Sequence, residues 1–383
     1  MGPGKKIEQQ IAVFGEAGSG KTVLVSSFYG ATQEPDFLED KLFHVIADDQ
    51  GQGNQLHSNY LSMRNSAKLP QADRFSGHAY SFTVKLRSLG AKKGSAASKA
   101  DALKVVWHDY PGEWFEEGVS GDLENRRRLE TFRALLGSDV AFLLVDAQRL
   151  IDQEGEEERY LKLLFTNFRN GLLALKDDLL ADGDSLVQFP RIWIVALSKA
   201  DLLPDIDVFQ FRDLVIEKAA GEIHQLREVL RSLVSGDEAL DLGQDFVLLS
   251  SAKFEPGKIH VSQRRGVDLI LPIAAVLPFE RYARWAERLK LPSKVLETLL
   301  RGAGPIALGL TARSKRIPRP LGLLLKFVGT EIISEAAGLA ADRLAEYNAE
   351  TNEKGDALGA TLSRFKMDLE GGEEDRTLLR SKA

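Results

Sequence analysis

A loop of eight residues near the amino terminus has the residue types and the spacing that bind phosphate groups. It follows the pattern G-x-x-x-x-G-K-T and lies between a short apolar run and a segment with helical character. Backbone N–H groups of such a loop face phosphate oxygens, and the dipole of the helix behind it favours negative charge. We expect Lys21 to reach the β- and γ-phosphates and the Thr22 hydroxyl to ligate Mg²⁺. The predicted phosphate-binding residues are Gly15, Glu16, Ala17, Gly18, Ser19, Gly20, Lys21, Thr22 and Val23.

A D-x-x-G motif, running from Asp109 to Gly112, comes directly after a strand-like run. An acid at a strand end can hold magnesium through water, and a glycine allows a backbone N–H to approach the γ-phosphate. The same residue types also form ordinary turns. Its position after a strand and downstream of the phosphate loop favours a metal-linked role for Asp109. The predicted catalytic residues are Lys21, Gly112 and Glu113.

Two further motifs follow apolar strand-like runs and have the chemistry to recognise a base. Guanine presents two neighbouring donors, N1–H and its exocyclic amine. The carboxylate of Asp201 can accept both, whereas adenine offers no equivalent pair. The aliphatic part of Lys199 can lie flat against the base. The predicted base-binding residues are Ser198, Lys199 and Asp201 from the first motif, and Ser251, Ala252 and Lys253 from the second.

In this order, the four motifs resemble those of the P-loop GTPases of the translation-factor-related class, over residues 7–276. The string from Asp109 to Trp114 is also similar to that of bacterial YcjX-like and double-GTPase proteins. The resemblance implies GTP and GDP as ligands, Mg²⁺ as the cofactor, and hydrolysis of GTP to GDP and phosphate. It further implies that Asp201 and Lys199 read guanine and that the Ala252 N–H contacts guanine O6.

Two positions depart from the pattern of these GTPases. Ser198 begins the base motif where asparagine or threonine is usual, and its shorter side chain can loosen the link between base loop and phosphate loop. Glu113 replaces the usual water-orienting glutamine. Its carboxylate can accept a hydrogen bond from the attacking water, but it also repels the γ-phosphate, and a solvated residue without a catalytic role is an equal alternative. We therefore expect slow intrinsic hydrolysis.

The threonine of the first switch segment in these GTPases has no distinctive counterpart here. The segment between Gly30 and Tyr80 is longer than a compact GTPase uses at this place. Two of its arginines, Arg64 and Arg74, can act as internal charge stabilisers, although solvated surface residues are the simpler interpretation. The candidate hydroxyls for the switch threonine are those of Thr32, Ser58, Ser62 and Ser66.

The composition is that of a large globular chain with one strongly basic segment. The 383 residues include no cysteine, and the formal net charge is −6. From Glu280 to Thr330 there are eleven basic and three acidic residues, a segregation typical of an electrostatic partner surface. The amino-terminal residues lack the apolar region of a secretory signal, and no apolar run is long enough to span a bilayer. We expect a cytoplasmic protein, with peripheral membrane contact through residues 280–330 as one option.

Apolar strand-like runs that alternate with helical segments indicate an α/β fold, a mostly parallel GTPase sheet covered by helices. Residues 1–277 are expected to form the GTPase domain, with 30–79 as an extended insertion at its first switch. A basic helical module is expected over 278–347 and a polar, frayed tail over 348–383. Strands are expected at 7–14, 42–47, 80–89, 103–108, 139–145, 191–197 and 246–249, and helices at 22–29, 123–136, 154–180, 208–233 and 267–277.

We interpret the chain as a GTP-binding, slowly hydrolysing switch that couples its nucleotide state to a protein partner or a membrane surface. One alternative is a nucleotide-binding scaffold with little hydrolysis. Another is an ATP-dependent P-loop enzyme such as a kinase, which requires the motif from Ser198 to Asp201 to be coincidental. The basic segment carries no RNA- or DNA-reading motif, so no specific nucleic acid is expected as a partner.

Overall fold

The computed structural model describes residues 7–41, 43–70, 77–86, 101–112, 121–180, 192–233, 242–288 and 352–381. Within these ranges the strands are β1 (Ile7–Phe14), β2 (Phe43–Ala47), β3 (His78–Leu86), β4 (Asp101–Asp109), β5 (Val140–Asp146), β6 (Ile192–Ser198), β7 (Asp245–Leu248), β8 (Lys253–Glu255), β9 (Lys258–His260) and β10 (Leu378–Leu379).

Eight of these strands form one mixed sheet in the order β10, β7, β6, β5, β1, β4, β3, β2, and β8 pairs with β9 in a separate hairpin. The five central strands, from β7 to β4, are parallel. β3 and β2 continue the sheet antiparallel at one edge, and β10 does so at the other. The strands expected at 80–89 and 103–108 are present as β3 and β4, which pair antiparallel. Because the carboxyl ends of parallel strands meet at one edge, the loops after β1, β4, β6 and β7 are neighbours.

Helices lie between the strands along the chain. They are α1 (Lys21–Ala31), α2 (Pro35–Asp40), α3 (Gln50–Ser66), α4 (Asp122–Leu136), α5 (Ala147–Asp152), α6 (Glu157–Ala174), α7 (Lys176–Leu179), α8 (Val208–Arg231), α9 (Ile270–Arg288) and α10 (Asn352–Glu374). Short 3₁₀ turns follow β6 at Ala200–Leu202 and precede α9 at Val267–Leu269.

Both faces of the sheet are buried against helices, which explains why its central strands are apolar throughout. Every residue of β5 and β6 is buried. On one face, Trp107 and Phe142 pack in a cluster with residues of α1, α9 and α10. On the other face, Phe14 and Trp193 stack with ring centroids 5.5 Å apart and pack with α4, α6 and α8. Parallel sheets are buried in this way, and the predicted α/β architecture with a mostly parallel, helix-covered sheet is confirmed.

The long insertion after α1 is a folded part of the sheet layer. It contributes α2, the edge strand β2 and α3, which packs across α1. Gly30 was expected to end α1, but the helix continues through it to Ala31. A Cβ atom on Gly30 would lie 2.1 Å from a ring carbon of Tyr60 on α3, so the glycine allows two helices to approach rather than ending one.

The carboxyl-terminal segment differs from the polar, frayed tail that its composition suggested. α10 packs on α9, with Leu369 fully buried, and β10 pairs with β7. Beyond β10, the Ser381 N–H donates to Asp245 Oδ1 at 2.8 Å. Arg380 bridges Glu280 of α9 and Glu373 of α10. Buried leucines among the polar residues, together with these pairs, hold the segment onto the sheet.

The basic segment is described only at its start. α9 runs without interruption through Pro278 to Arg288, so the proposed domain division at residue 277 falls inside one helix. Residues 289–351, which hold most of the predicted basic module, lie outside the described residues. In the part of the chain that is described, no helix is both long enough and apolar enough to cross a membrane.

Candidate functional site

The loop between β1 and α1 has a backbone that glycine makes possible. Gly18 and Gly20 have φ values of 78° and 91°, in the left-handed region that favours glycine. Gly20 is the N-cap of α1. The loop turns tightly, with the Ser19 N–H donating to the Glu16 carbonyl at 3.2 Å. The first N–H groups of α1 therefore lie at the carboxyl edge of the sheet, where they form a binding place for an anion.

Lys21 lies buried across this loop. Its Nζ donates to the carbonyl of Gly15 at 2.7 Å and to that of Glu16 at 3.0 Å. The same Nζ is 5.4 Å from the ring centroid of Tyr110. These contacts place a fixed positive charge at the base of the loop, which suits a lysine that neutralises phosphate.

Thr22 and Asp109 meet although they are 87 positions apart in the sequence. The Thr22 hydroxyl donates to Asp109 Oδ2 at 2.9 Å. β4 pairs in parallel with β1, which brings the end of β4 beside the start of α1. Burial raises the pKa of the Asp109 carboxyl, and the nearby Lys21 charge and the Thr22 hydrogen bond oppose that shift.

This pair of oxygens fits a hard cation such as Mg²⁺. Hydroxyl and carboxylate oxygens are the protein ligands that Mg²⁺ prefers, and it usually keeps water and phosphate oxygens as well. Among the described residues, no group of three or more His, Cys, Asp or Glu side chains could hold a metal by itself. The donor set of Thr22 and Asp109 therefore suits a metal that is bound together with phosphate.

The D-x-x-G glycine touches the phosphate loop directly. A Cβ atom on Gly112 would lie 2.2 Å from the Ala17 nitrogen and 2.4 Å from the Glu16 carbonyl carbon. Because these are backbone atoms, no larger residue fits without moving the loop. Tyr110 makes a second link, since its hydroxyl accepts the Gly15 N–H at 2.8 Å. Burial holds the pKa of this hydroxyl well above its usual value, so it stays protonated.

Tyr110 was not predicted to have a role, because the motif leaves its position open. Glu113, the third predicted catalytic residue, lies outside the described residues, which resume at residue 121. Its role stays a prediction.

The predicted base-reading carboxylate is held by two donors. Asp201 Oδ1 accepts the Ser250 hydroxyl at 2.7 Å, and Oδ2 accepts the Phe254 N–H at 3.2 Å. Lys199 has a φ of 54°, and its Nζ pairs with Asp146 Oδ2 at 2.7 Å. These contacts fix the turn after β6 and set the direction in which the Asp201 carboxylate faces.

Ser198, the first residue of this motif, is also the last residue of β6. Its hydroxyl donates to the Val145 carbonyl of β5 at 3.2 Å. The hydroxyl of Ser198 therefore bonds the neighbouring strand β5.

The loop after β7 joins the base side to α1. The Ser27 hydroxyl of α1 donates to the Ser251 carbonyl at 2.7 Å, and Ala252 is fully buried beside it. Lys253 begins β8, where its exposed Nζ pairs with Glu255 at 2.9 Å. The sequence prediction named Ser251, whose contact with nucleotide stays a prediction, and did not name Ser250, whose hydroxyl reaches Asp201. The presence of two adjacent serines, Ser250 and Ser251, was the one feature of the sequence that could have indicated a role for Ser250.

An arginine that sequence reasoning missed lies against the phosphate loop. α5 begins directly after β5, and Asp146 caps it by accepting the Gln148 N–H at 2.9 Å. From the first turn of α5, Arg149 Nη1 pairs with Glu16 Oε2 at 2.9 Å, and Nη2 donates to the Ala17 carbonyl at 3.4 Å. No motif marks Arg149, because its position depends on how β5 and β1 pair.

The four candidate hydroxyls for the first switch lie at the carboxyl end of α1 and on α3. Thr32 caps the carboxyl end of α1 and donates to the Tyr29 carbonyl at 2.7 Å, whereas Lys21 is at the other end of that helix. Ser58, Ser62 and Ser66 lie on α3.

Of the two predicted charge stabilisers in the insertion, only Arg64 belongs to the described residues, and its contact is with the insertion rather than the loop. Arg64 pairs with Glu34 at 2.6 Å on the surface, and Arg74 lies outside the described residues. The β3–β4 register places His78 opposite Asp109. Residues 71–76, which come shortly before β3, lie outside the described residues.

Comparisons with known proteins gave similarity to solved structures alone. No protein-family model and no curated protein matches the chain. The chain is similar to a nucleolar GTP-binding protein 1 from Plasmodium falciparum, at 14% identity and a TM-score of 0.33, over 78% of this chain and 97% of that one. It is similar to the S. cerevisiae Ski7 GTPase-like domain bound to GTP, at 12% identity and a TM-score of 0.29, over 64% of this chain and 43% of that one.

A third similar structure is a septin GTPase domain from Chlamydomonas reinhardtii, at 14% identity and a TM-score of 0.26, over 65% of this chain and 77% of that one. At these identities and TM-scores, what those proteins bind does not carry over to this chain. The narrower resemblance to YcjX-like proteins stays a prediction.

Proposed function

We propose that this chain binds guanine nucleotides at the carboxyl edge of its sheet and slowly hydrolyses GTP to GDP and phosphate. The observation that carries the proposal is the hydrogen bond from Thr22 to Asp109, because it joins two separate motifs at one place with the chemistry for a metal–phosphate complex. Lys21 and Gly112 lie against the same loop, and Asp201 lies two strands away after β6.

The phosphate end of the site binds by charge and backbone donors. N–H groups of the loop and of the first turn of α1 bind the phosphates, while the Gly15 N–H is bonded to Tyr110, and Lys21 neutralises the β- and γ-groups. Thr22 and Asp109 are the residues that would hold Mg²⁺. When bound, this ion supplies charge neutralisation and fixes the phosphate geometry. The contact of Gly112 with Glu16 and Ala17 supports its role as the residue whose N–H reads the γ-phosphate.

The base end selects guanine by complementary hydrogen bonds. Asp201 accepts from guanine N1–H and from the exocyclic amine, while Ser250 and Phe254 keep its carboxylate oriented. Lys199, Ser198 and the loop from Ser251 to Lys253 complete this end. The Ala252 N–H is the donor for guanine O6. Adenine lacks the two donors that Asp201 requires, so an ATP-dependent enzyme is the weaker alternative.

Hydrolysis is the step that distinguishes an enzyme from a scaffold. A water oxygen bonds to the γ-phosphorus as the bond to the β–γ bridging oxygen breaks. The bridging electron pair leaves with GDP, and the proton of the water finishes on the released phosphate. Lys21 and the Gly112 N–H stabilise the charge that develops, and Glu113, the next residue in the chain, is the candidate to orient the water. A scaffold with little hydrolysis remains the alternative outcome.

We further propose that the nucleotide state of the protein controls its contact with a partner. Nucleotide state would be passed through the segment Asp109–Trp114 and part of the segment Gly30–Tyr80 to a protein partner or an anionic membrane surface, with residues 280–330 as the contact. Each basic residue near an anionic bilayer contributes about 1 kcal/mol, which salt screens. Flotation with phosphatidylserine vesicles should show salt-sensitive binding of the full chain. No flotation at low salt, with GTP or GDP present, would argue for a protein partner or a purely structural role instead.

One experiment tests the core of the proposal. The full chain is purified gently, and its bound nucleotide is identified by mass. Turnover is then measured with GTP and ATP in parallel, with Mg²⁺ present. We expect guanine nucleotide in the preparation and single turnover on the order of 10⁻⁴ to 10⁻² s⁻¹ with GTP alone. Equal affinity for ATP and GTP would overturn the guanine assignment, and tight GTP binding without turnover would favour the scaffold.

A further inference from the structure

Arg149 lies against the phosphate loop although it belongs to none of the predicted motifs. Its guanidinium contacts two consecutive loop residues, Glu16 through an ion pair of 2.9 Å and the Ala17 carbonyl at 3.4 Å. Two neighbours on α5, Ala147 and Leu150, are buried, so the helix that carries the arginine is fixed on the core. The arginine side chain keeps 34% of its surface exposed, whereas Glu16 keeps only 9%.

We infer that Arg149 is a catalytic arginine supplied by this chain itself, which stabilises the charge on the γ-phosphate during GTP hydrolysis, and that Glu16 positions it beside the loop. The inference rests on the proposed function and names a residue of the same site.

The position of Gly112 shows which end of the site Arg149 faces. A Cβ atom on Gly112 would collide with the backbone of Glu16 and Ala17, the two residues that Arg149 contacts. Gly112 is the residue assigned to the γ-phosphate. Asp201, which reads the base, lies instead with Ser250 and Phe254. The guanidinium is therefore at the phosphate end of the site.

A positive charge at the phosphate end of the site would accelerate hydrolysis. As the water oxygen bonds to the γ-phosphorus, the bond to the bridging oxygen breaks, and negative charge grows on that oxygen and over the phosphoryl oxygens. A planar guanidinium with five N–H donors can contact a phosphate oxygen while it stays paired to a carboxylate. A fixed charge aimed at the place where charge develops lowers the barrier more than it tightens ground-state binding.

Arg149 could have the simpler role of neutralising Glu16, and that role predicts a different result in the double variant. The Glu16 carboxylate in the phosphate loop repels a triphosphate, and Arg149 neutralises it. If neutralisation is all that Arg149 does, then removing both charges together restores activity. If Arg149 acts on the γ-phosphate, the loss persists after Glu16 is neutralised.

The first test is single-turnover hydrolysis of Mg·GTP by the full chain. The variants are Arg149→Ala, Arg149→Lys, Glu16→Gln and the double variant Arg149→Ala/Glu16→Gln. We expect Arg149→Ala to lower the rate by about 10²-fold, both alone and in the Glu16→Gln background, with a much smaller change in the Kd for GTP. Arg149→Lys keeps the charge but not the planar fork, and should recover part of the rate. Arg159→Ala is the matched control, because Arg159 pairs with Glu156 on the exposed surface of α6.

The second test does not depend on turnover. Aluminium fluoride with GDP imitates the transferring phosphoryl group, so its binding measures stabilisation of the transition state. In the wild type, fluoride and aluminium should tighten GDP binding. In Arg149→Ala that gain should fall by about 10²-fold, while the affinity for GDP alone changes little. Thermal unfolding of each variant checks that it is folded.

The outcomes separate the two claims. Absence of guanine-nucleotide binding by the wild type would defeat the proposed function itself. Wild-type binding with full rescue of Arg149→Ala by Glu16→Gln would overturn the catalytic role. So would equal loss of affinity for GDP with and without aluminium fluoride. A wild type that binds GTP but never turns it over would also overturn this role, because an arginine already in place must accelerate the reaction.

Discussion

The phosphate half of the proposed site comprises Gly15–Thr22 and Asp109–Gly112, and the base half comprises Ser198–Asp201 and Ser250–Lys253. In the phosphate half two backbone segments lie so close together that a Cβ atom on Gly112 would collide with Glu16 and Ala17. In the base half pairs of side chains hold the motif, as in the Asp201–Ser250 and Lys199–Asp146 pairs. The first arrangement depends on residues that lack a side chain, and the second on side chains that meet from distant segments. The two halves should therefore fail in different ways when they are mutated.

Removal of the loop lysine should have the largest effect. Lys21→Ala removes charge-assisted contacts to two phosphates, so we expect GTP affinity to fall by about 3–5 kcal/mol, with the protein still folded. Calorimetric titration with a slowly hydrolysed GTP analogue measures the loss. Lys162→Ala, at an exposed lysine of α6 that pairs with Glu158, is the matched control. Normal binding by Lys21→Ala would show that this loop is not the phosphate site.

The second largest effect is expected when a methyl group is added at Gly112 in the phosphate half. In Gly112→Ala the new Cβ meets the Ala17 nitrogen at 2.2 Å, so the backbone N–H that reads the γ-phosphate must move away. We expect the hydrolysis rate to fall by about 10²-fold, comparable to the loss of one oxyanion donor. Gly221→Ala on α8 has open space around its added methyl and serves as the control. An unchanged rate would mean that Gly112 does not touch the γ-phosphate.

In the base half, loss of the Asp201 carboxylate should weaken binding of GTP. Asp201→Ala removes two charge-assisted hydrogen bonds to guanine, so GTP affinity should fall by about 2–4 kcal/mol while ATP affinity stays the same. Asp201→Asn keeps the shape and exchanges one acceptor for an N–H donor. Xanthine, which has a carbonyl oxygen where guanine has its amine, should then bind better than guanine. A loss shared equally by GTP and ATP would show that Asp201 supports the fold rather than the base.

The smallest effect is expected for Ser250, because its side chain orients Asp201 and does not itself contact the base. Ser250→Ala leaves Asp201 charged but removes the 2.7 Å hydrogen bond to its Oδ1. Selectivity for GTP over ATP should fall by about 1 kcal/mol, with no change in the rate at saturating GTP. Competition binding with both nucleotides measures this difference. Ser262→Ala, at an exposed serine after β9, is the control. A reduced rate at saturation would mean that the two halves are coupled through Ser250.

The same contrast explains how much could be predicted from the sequence. Backbone requirements leave glycines at fixed spacing, so the loop after β1 and Gly112 could be identified as candidates from the sequence, and the alternation of apolar runs predicted the parallel sheet. Side-chain partners leave no such pattern. Tyr110, Ser250 and Arg149 were missed because each depends on which strands are neighbours, and that pairing is fixed by tertiary packing.

Two further differences also come from tertiary packing. Gly30 resembles a helix-ending glycine, yet it lies inside α1 because Tyr60 packs on it. The carboxyl-terminal residues look polar in sequence, yet a minority of buried leucines holds α10 and β10 on the core. Composition averages over a segment, whereas packing depends on the few positions that face the sheet.

The position of β10 has a consequence for how the protein comes to be folded during synthesis. β10 lies beside β7, the strand that leads into the base half, and Ser381 and Asp245 bond across a sequence separation of 136 residues. A nascent chain can form the β1–α1 loop early, but this edge of the sheet can close only after residues near 380 have left the ribosome. Until then β7 presents an unpaired edge, which is a site for wrong pairing with other chains. Guanine recognition is thus expected to mature later than phosphate recognition on the ribosome.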